Sequence, residues 1–404
     1  MSKKKKKWVL ARHRVVKRLL RWAFVLAAKI RYRVKLPAFP EGKGKQFLIL
    51  MNHQTPFDQF FVSATFKQSV YFVATEDIFS LGFLSKALKW LVAPIPIKKQ
   101  TADMAAVMNC LRVAREGGTI AMAPEGNRTY TGRTEYMNPA VAPLARKLGL
   151  PIALYRIEGG YGVQPRWASN RRRGEMRAYV SEVITPEEMG ALSDDALISR
   201  IRDGLFVDDR TERGTYRHKK KAEFLERALY VCPFCGLSRF HSHGDLFRCE
   251  ACGKEWRYTE RLTLEGVGFE SPFESVAAWY DHQCEFVGQL DTVADREKLF
   301  YTDRVSVSEV IVYEKKKKLA KTATAELYGD RICISSSCGE LLSLPFCDVT
   351  AISALGRKKI NVYLGKQVYQ LAGGERFCGL KYVNFYYRYK NILKGEDNGN
   401  FLGL

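Results

Sequence analysis

The sequence has no run of about 18 apolar residues, which argues against a membrane-spanning helix. Its longest apolar stretch near the start, Trp22 to Ala28, is too short for the hydrophobic segment of a signal peptide. The C-terminus shows no prenylation signal, and no internal repeat of fixed period is present. Acidic residues are missing from the front: the first 40 residues hold 14 Lys and Arg and not one Asp or Glu. The ten cysteines lack the pattern of a short disulfide-stapled secreted domain, since one organised set stands beside six scattered members. Reduced thiols and one metal site are the simpler account. These absences lead us to expect a peripheral protein on the cytoplasmic face of a membrane.

What is present points to a large globular chain. Its 404 residues suffice for two to three domains, and 46% hydrophobic with 27% charged residues exclude a disordered polymer. A net charge of +22 implies an anionic partner. Nucleic acid, a phosphorylated substrate and anionic lipid all qualify, so the placement of the charge decides. From Trp8 to Ile30 the spacing predicts a helix. Trp8, Val15, Leu19, Trp22, Leu26 and Ile30 share one side, while Arg14, Lys17, Arg18 and Arg21 gather on the other. A basic amphipathic helix with two tryptophans suits an anionic headgroup layer. The alternative is a helix packed on its own domain with a solvated basic face.

Between residues 46 and 184, short apolar runs alternate with longer helical patterns. Phe47–Met51, Val70–Ala74, Thr119–Ala123 and Pro151–Ile157 read as strands, and Thr101–Glu116 and Asn138–Leu148 as helices. Gly117-Gly118 and Gly149 supply the helix stops. This alternation predicts an α/β domain with a mostly parallel sheet and flanking helices. Residues 186–229 read as a helical connector and 230–258 as a small zinc ribbon. Residues 259–404 read as a C-terminal α+β domain, with helices at Phe273–Leu290 and Lys381–Leu393 around short β-runs. Those runs are Ala323–Ser335, Leu341–Leu344, Ile360–Tyr363 and Gln367–Leu371. Residues 1–40 form the basic helix and 41–185 the α/β domain.

The segment Leu48-Ile-Leu-Met-Asn52-His53-Gln-Thr55-Pro56-Phe-Asp58 carries the most chemistry. A buried strand runs into a polar turn, and a helix is expected with Thr55 as N-cap, Pro56 first and Asp58 at N3. That curl brings Asp58 back towards His53. A carboxylate on one ring nitrogen fixes the tautomer and leaves the other nitrogen as a base. The bland reading is that Asp58 only caps the helix. A second loop, Pro124-Glu125-Gly126-Asn127-Arg128, leaves the next predicted strand at its carboxyl end, where ligands gather in open α/β sheets. Gly126 allows close backbone approach, and the planar fork of Arg128 matches a phosphate. Glu125 either holds that arginine or orients a substrate polyol.

Together the two blocks resemble the glycerolipid acyltransferase family, which includes the 1-acylglycerol-3-phosphate acyltransferases. That family carries an Asn-His-x4-Asp block and a later Phe-Pro-Glu-Gly-Thr-Arg block. Asn52, His53 and Asp58 match the first; Pro124, Glu125, Gly126 and Arg128 match the second, with Ala123 and Asn127 in place of Phe and Thr. The resemblance implies direct transfer of an acyl group from an acyl thioester, on acyl carrier protein or coenzyme A, to a lysophospholipid hydroxyl. His53 would be the general base and Asp58 its orienting partner. Asn52, Glu125, Gly126 and Arg128 would bind substrate, and Lys98 or Lys99 would meet the acceptor's phosphate where the family often places an arginine. The preferred acceptor would be 1-acylglycerol 3-phosphate, with another lysolipid or an acylated glycolipid as alternatives. A catalytically silent membrane adaptor remains the reading from a different class. Cys110 lies in a helical pattern and is expected to pack rather than react.

Cys232-Pro-Phe-Cys235 and Cys249-Glu-Ala-Cys252 form two Cys-x2-Cys pairs, each followed by glycine. Four thiolates so spaced suit a structural tetrahedral Zn²⁺. His241 and His243 between them are surplus to that shell. The ribbon's local charge is nearly balanced, which argues against nucleic acid as its partner. The C-terminal order of short strands closed by a helix resembles a pleckstrin-homology-like module. Lys315 to Lys318, Arg357, Lys358 and Lys359 are read there as either a second headgroup patch or a solvated face.

Overall fold

A computed structural model describes residues 7–75, 78–79, 82–97, 103–210, 214–311, 314–337, 339–395 and 402–403. In chain order the first part holds α1 (Ala11–Tyr32), β1 (Val34–Lys35), β2 (Leu48–Met51), α2 (Asp58–Thr65), β3 (Val70–Thr75), α3 (Phe83–Val92) and β4 (Ile95–Ile97). There follow α4 (Met104–Arg115), β5 (Thr119–Met122), α5 (Val141–Leu148), β6 (Ile152–Glu158), the single turn α6 (Gly160–Val163) and β7 (Met176–Ile184). Helices α7 (Pro186–Ala191) and α8 (Asp194–Leu205) close this part. The seven strands form one sheet in the order β1-β7-β6-β2-β5-β3-β4. Every neighbouring pair is parallel except β6 and β7. Strand β2 sits at the centre, with Leu48 opposite Ile120 on one side and Ile152 on the other. All four of its residues are buried, as a strand covered on both faces requires.

The pattern alone does not predict β1, α3, β4 or β7. Strand β1 has two residues, β4 carries Pro96 at its centre, and β7 mixes Arg177, Ser181 and Glu182 into its apolar run. Periodicity has too little to work on in each.

Helix α1 settles its orientation in an unexpected way. Its body-facing side is mixed: His13 and Lys17 are buried with Ala28 and Tyr32, while Arg14 and Arg18 are exposed. The Lys17 ammonium donates to the Ser63 carbonyl, and Arg21 Nε donates to Ala64 O at 3.2 Å. The apolar stripe faces outward, with Val15 at 59% exposure and Leu19, Trp22 and Ile30 each at 72%. The helix thus packs on its own domain with Arg14 and Arg18 solvated, but Lys17 of the basic face is buried and the apolar stripe is not.

The ribbon comprises β8 (Val231–Cys232), β9 (Gly236–Leu237), β10 (Phe240–His243), β11 (Leu246–Cys249), β12 (Glu255–Tyr258) and β13 (Leu264–Gly266), backed by α9 (Val276–Gly288). Beyond it stand β14 (Tyr301–Glu309), β15 (Lys317–Leu327), β16 (Arg331–Ser336), β17 (Gly339–Pro345), β18 (Val349–Leu355), β19 (Lys359–Leu364), β20 (Gln367–Gly373) and α10 (Leu380–Lys394). These seven strands form an antiparallel sheet in the order β17-β16-β15-β14-β20-β19-β18. The single run expected over Ala323–Ser335 divides at Tyr328–Asp330 into β15 and β16, and β14 and β18 are additional. A continuous buried core runs from Phe47 and Tyr155 through Trp167, Trp256 and Trp279 to Tyr301 and Phe385, so the parts pack as one body.

Candidate active site and metal centre

Strands β2 and β5 are parallel neighbours, so the loops leaving their carboxyl ends emerge side by side. The loops are stitched together by backbone. Thr129 N donates to His53 O at 3.0 Å, and His53 N donates to Glu125 Oε1 at 2.8 Å. Within the first loop, His53 Nδ1 lies 2.8 Å from Asp58 Oδ2. The Asp58 side chain is fully buried, whereas that of His53 keeps 26% exposure. Asp58 also accepts from Gln54 N at 2.8 Å, Thr55 N at 3.0 Å and Thr55 Oγ1 at 2.6 Å. Four donors converge on one carboxylate, and its bond to the ring fixes the imidazole tautomer that carries its proton on Nδ1. The lone pair then belongs to Nε2.

Helix α2 begins at Asp58 rather than Pro56, with Phe57 at its cap and no side-chain capping bond. Thr55 is diverted to the site: its hydroxyl donates to Asp58 and accepts from Phe57 N at 3.1 Å. Asn52 is also corrected. Its amide donates to Ile157 O at 2.8 Å and accepts from Ile157 N at 2.7 Å, and it is wholly buried. That pairing makes Asn52 a strut between β2 and β6 rather than a substrate contact.

In the second loop, Glu125 does not hold Arg128. Its carboxylate accepts from His53 N and, at 3.3 Å, from Glu135 N. Burial pushes its pKa up to about 8, against the pull of those two amides. Gly126 is exposed at the tip of the turn. Arg128 leaves Nη1 buried without a hydrogen-bond partner, and burial lowers its pKa to about 10, helped by the charge of Arg166. The site thus presents a guanidinium with one unsatisfied nitrogen beside a His–Asp pair whose carboxylate charge reaches it. Lys98 and Lys99 lie outside the described residues. Cys110 is buried in α4, and burial raises its thiol to about 12, as expected of a packing residue.

One residue that motif reasoning misses is Arg166, only 2% exposed. Its guanidinium donates to Arg128 O at 2.9 Å and Asn127 Oδ1 at 3.2 Å, and stacks 4.3 Å from the Tyr130 ring centroid. It follows Pro165 in a stretch with no local signature.

The four ribbon cysteines meet as their spacing predicts. Their sulfurs all lie within 4.8 Å of one another, with Cys232–Cys252 at 3.8 Å and Cys235–Cys249 at 3.7 Å. Tetrahedral Zn²⁺ with bonds of about 2.3 Å sets sulfur–sulfur separations near ~3.8 Å, so the donor set fits that ion. Gly236 and Gly253 both take φ of +72°, a left-handed bend that a side chain resists. His241 and His243 alternate with buried Phe240 and Ser242 and so face solvent. Of the basic residues grouped in the C-terminal reading, Lys358 pairs with Glu375, and Lys316 Nζ donates to Gln370 Oε1 at 2.9 Å.

Residues 29–157 match the family model described as Acyltransferase. A curated relative is the chloroplastic 1-acyl-sn-glycerol-3-phosphate acyltransferase BAT2 of Brassica napus, 22% identical over 148 residues. That match covers 36% of this chain and 42% of the plant protein, less than half its length. Among solved structures, the 1-acyl-sn-glycerophosphate (LPA) acyltransferase PlsC of Thermotoga maritima is 17% identical with a TM-score of 0.39, covering 48% of this chain and 76% of its own. The Vps36 N-terminal PH domain is 16% identical with a TM-score of 0.20, covering 24% of this chain and 82% of its own. Neither structural likeness is close enough to transfer a fold. With both motif loops joined at one sheet edge and the family match spanning them, residues 29–157 are similar to the acyltransferase family and, within it, to the 1-acylglycerol-3-phosphate acyltransferases.

Proposed function

We propose that this protein transfers a fatty acyl group from an acyl thioester to the free hydroxyl of a lysophospholipid, with 1-acylglycerol 3-phosphate as preferred acceptor. The observation that carries the reading is the 2.8 Å contact between His53 Nδ1 and the fully buried Asp58 carboxylate, beside the unsatisfied Arg128. His53 Nε2 takes the proton of the acceptor hydroxyl as its oxygen attacks the thioester carbonyl. The new C–O bond forms, the C–S bond breaks, and the proton passes from the imidazole to the departing thiolate of coenzyme A or acyl carrier protein. General-base assistance of this kind contributes roughly 10²–10⁴-fold. Arg128 offers its fork to the acceptor's phosphate.

Attachment to an anionic membrane surface from the cytoplasmic side belongs to the same proposal. The outward stripe of α1 supports it, as does a groove of about 690 Å³ beside that helix. Arg14, Lys17, Arg18, Arg21 and Lys67 line the groove, with Trp22 and no acidic residue. No helix among the described residues is long and apolar enough to cross a membrane. The ribbon's four cysteines hold a structural zinc in this reading. All four ligand positions are sulfur, which leaves none open for chemistry.

The test is a panel: purified protein, a labelled acyl thioester and lysolipids differing in headgroup. The proposal expects a labelled diacyl product, fastest with 1-acylglycerol 3-phosphate. No product with any lysolipid would leave a membrane adaptor as the surviving account.

A further inference from the structure

The turn joining β18 to β19 is far from the acyltransferase loops in sequence but packs directly on them. Arg166 makes the join. The same guanidinium that donates to Arg128 O and Asn127 Oδ1 also donates to Ala354 O at 2.9 Å and to Gly356 O at 3.1 Å. A buried cation with carbonyls from both segments around it fixes the C-terminal turn against the Glu-Gly-Asn-Arg loop. Arg357 is the next residue.

Arg357 is partly buried and makes no hydrogen bond or ion pair among the described residues. Its charge bears on Arg128 and on the phenol of Tyr32, whose own electrostatic neighbours include Asp58. It therefore stands within reach of the same site. The acidic groups nearby are already committed. Glu375, the one carboxylate whose charge bears on Arg357, pairs with Arg227 at 3.1 Å and with Lys358. Asp58 is enclosed by His53, Gln54 and Thr55, and Glu125 by two backbone amides. Two guanidiniums thus stand at one edge of the site, and the carboxylates whose charges reach them, Asp58 and Glu375, are already engaged with other partners. An arrangement of that kind costs stability unless a ligand supplies the negative charge.

We propose that Arg357 and Arg128 together form a phosphomonoester subsite, so that the acceptor's phosphate is held between the acyltransferase loop and the C-terminal sheet. This rests on the reading of the site as one that acylates a phosphorylated lysolipid. Arg357 is then a specificity-determining residue supplied from outside the family domain. The C-terminal sheet has a share in choosing the acceptor, and docking of that sheet is part of assembling the site.

The test uses the full chain as wild type, Arg357→Ala, Arg357→Lys and, as a charge control on the same sheet, Lys366→Ala. Each is assayed with 1-acylglycerol 3-phosphate and with a monoacylglycerol of the same chain length. Arg357→Ala is expected to raise KM for the phosphorylated acceptor by about tenfold or more, the loss of one charge-assisted pair. Its kcat, its KM for the thioester and its KM for the neutral acceptor stay near wild type. Arg357→Lys falls between, because an ammonium keeps the charge without the fork. An unchanged KM in Arg357→Ala, or an equal rise for both acceptors, overturns the subsite. If wild type acylates no phosphorylated lysolipid, the functional reading fails separately. Binding of sn-glycerol 3-phosphate by calorimetry then decides: weakening in Arg357→Ala alone upholds the subsite, and equal or absent binding in both refutes it.

Discussion

At the scale of single residues, Asp58 does two jobs with one carboxylate. It accepts three hydrogen bonds from the turn and one from His53, so it shapes the loop that it also polarises. Asp58→Asn replaces one acceptor oxygen with a donor among groups that all donate. Acyl transfer is expected to fall by about 10³-fold or more, measured as kcat/KM, because the imidazole loses its fixed tautomer. Glu125 yields a prediction about pH. Its pKa stands near 8 in the folded protein, above the roughly 4.3 of an unfolded chain. Between those values the native state holds a proton that the unfolded state has released, so stability falls as pH rises through that window. Urea denaturation at pH 5.5 and pH 8 should show that fall, and Glu125→Gln should flatten it. An equally steep fall in the variant would assign the slope to other groups.

At the scale of elements, the legible parts were those whose pattern was strong and local. Central strands such as β2 and β5 are short apolar runs bounded by polar turns, and the helices α4, α5 and α10 end near glycines. The His53 and Glu125 loops were readable because each carries a chemical signature immediately after such a strand. Strand β7 was hidden by its charged residues, and β4 by its proline. The role of Arg166 was hidden for another reason: it depends on contacts across about 190 residues of sequence, to which no local pattern points. The direction of α1 was half legible. Its apolar side is evident in the spacing, but that this side faces outward follows from burial of Lys17 and His13. The double variant Leu19→Ser, Trp22→Ser should therefore leave thermal stability nearly unchanged, since both side chains are already solvated. It should reduce cosedimentation with vesicles containing anionic lipid by about tenfold or more, given the apolar area each residue brings to the interface. Undiminished sedimentation would remove α1 from the attachment surface.

At the scale of the whole molecule, the ribbon lies between the two sheets. Trp167 from the α/β part packs on Tyr258 of β12 at 5.7 Å between ring centroids, and Arg133 pairs with Asp281 of α9 through two bonds of 2.9 and 2.6 Å. On the other side, Tyr230 meets Tyr301 of β14 edge-on at 6.2 Å. Holding the four cysteines together therefore holds both neighbours. Chelating the proposed zinc, or Cys249→Ser, is expected to lower Tm by about 5 °C or more. It should also raise KM for the acceptor before it changes KM for the thioester, since the Arg357 turn is the contact placed at a distance. A ribbon that tolerates chelation without loss of Tm would contradict the metal assignment.

The central claim is that the His53 imidazole removes the proton from the attacking hydroxyl. Single-turnover acyl transfer to 1-acylglycerol 3-phosphate, compared between wild type and His53→Ala of matched thermal stability, tests it most directly. The account predicts a loss of at least about 100-fold in the rate of the chemical step. Transfer at an undiminished rate in His53→Ala would contradict it.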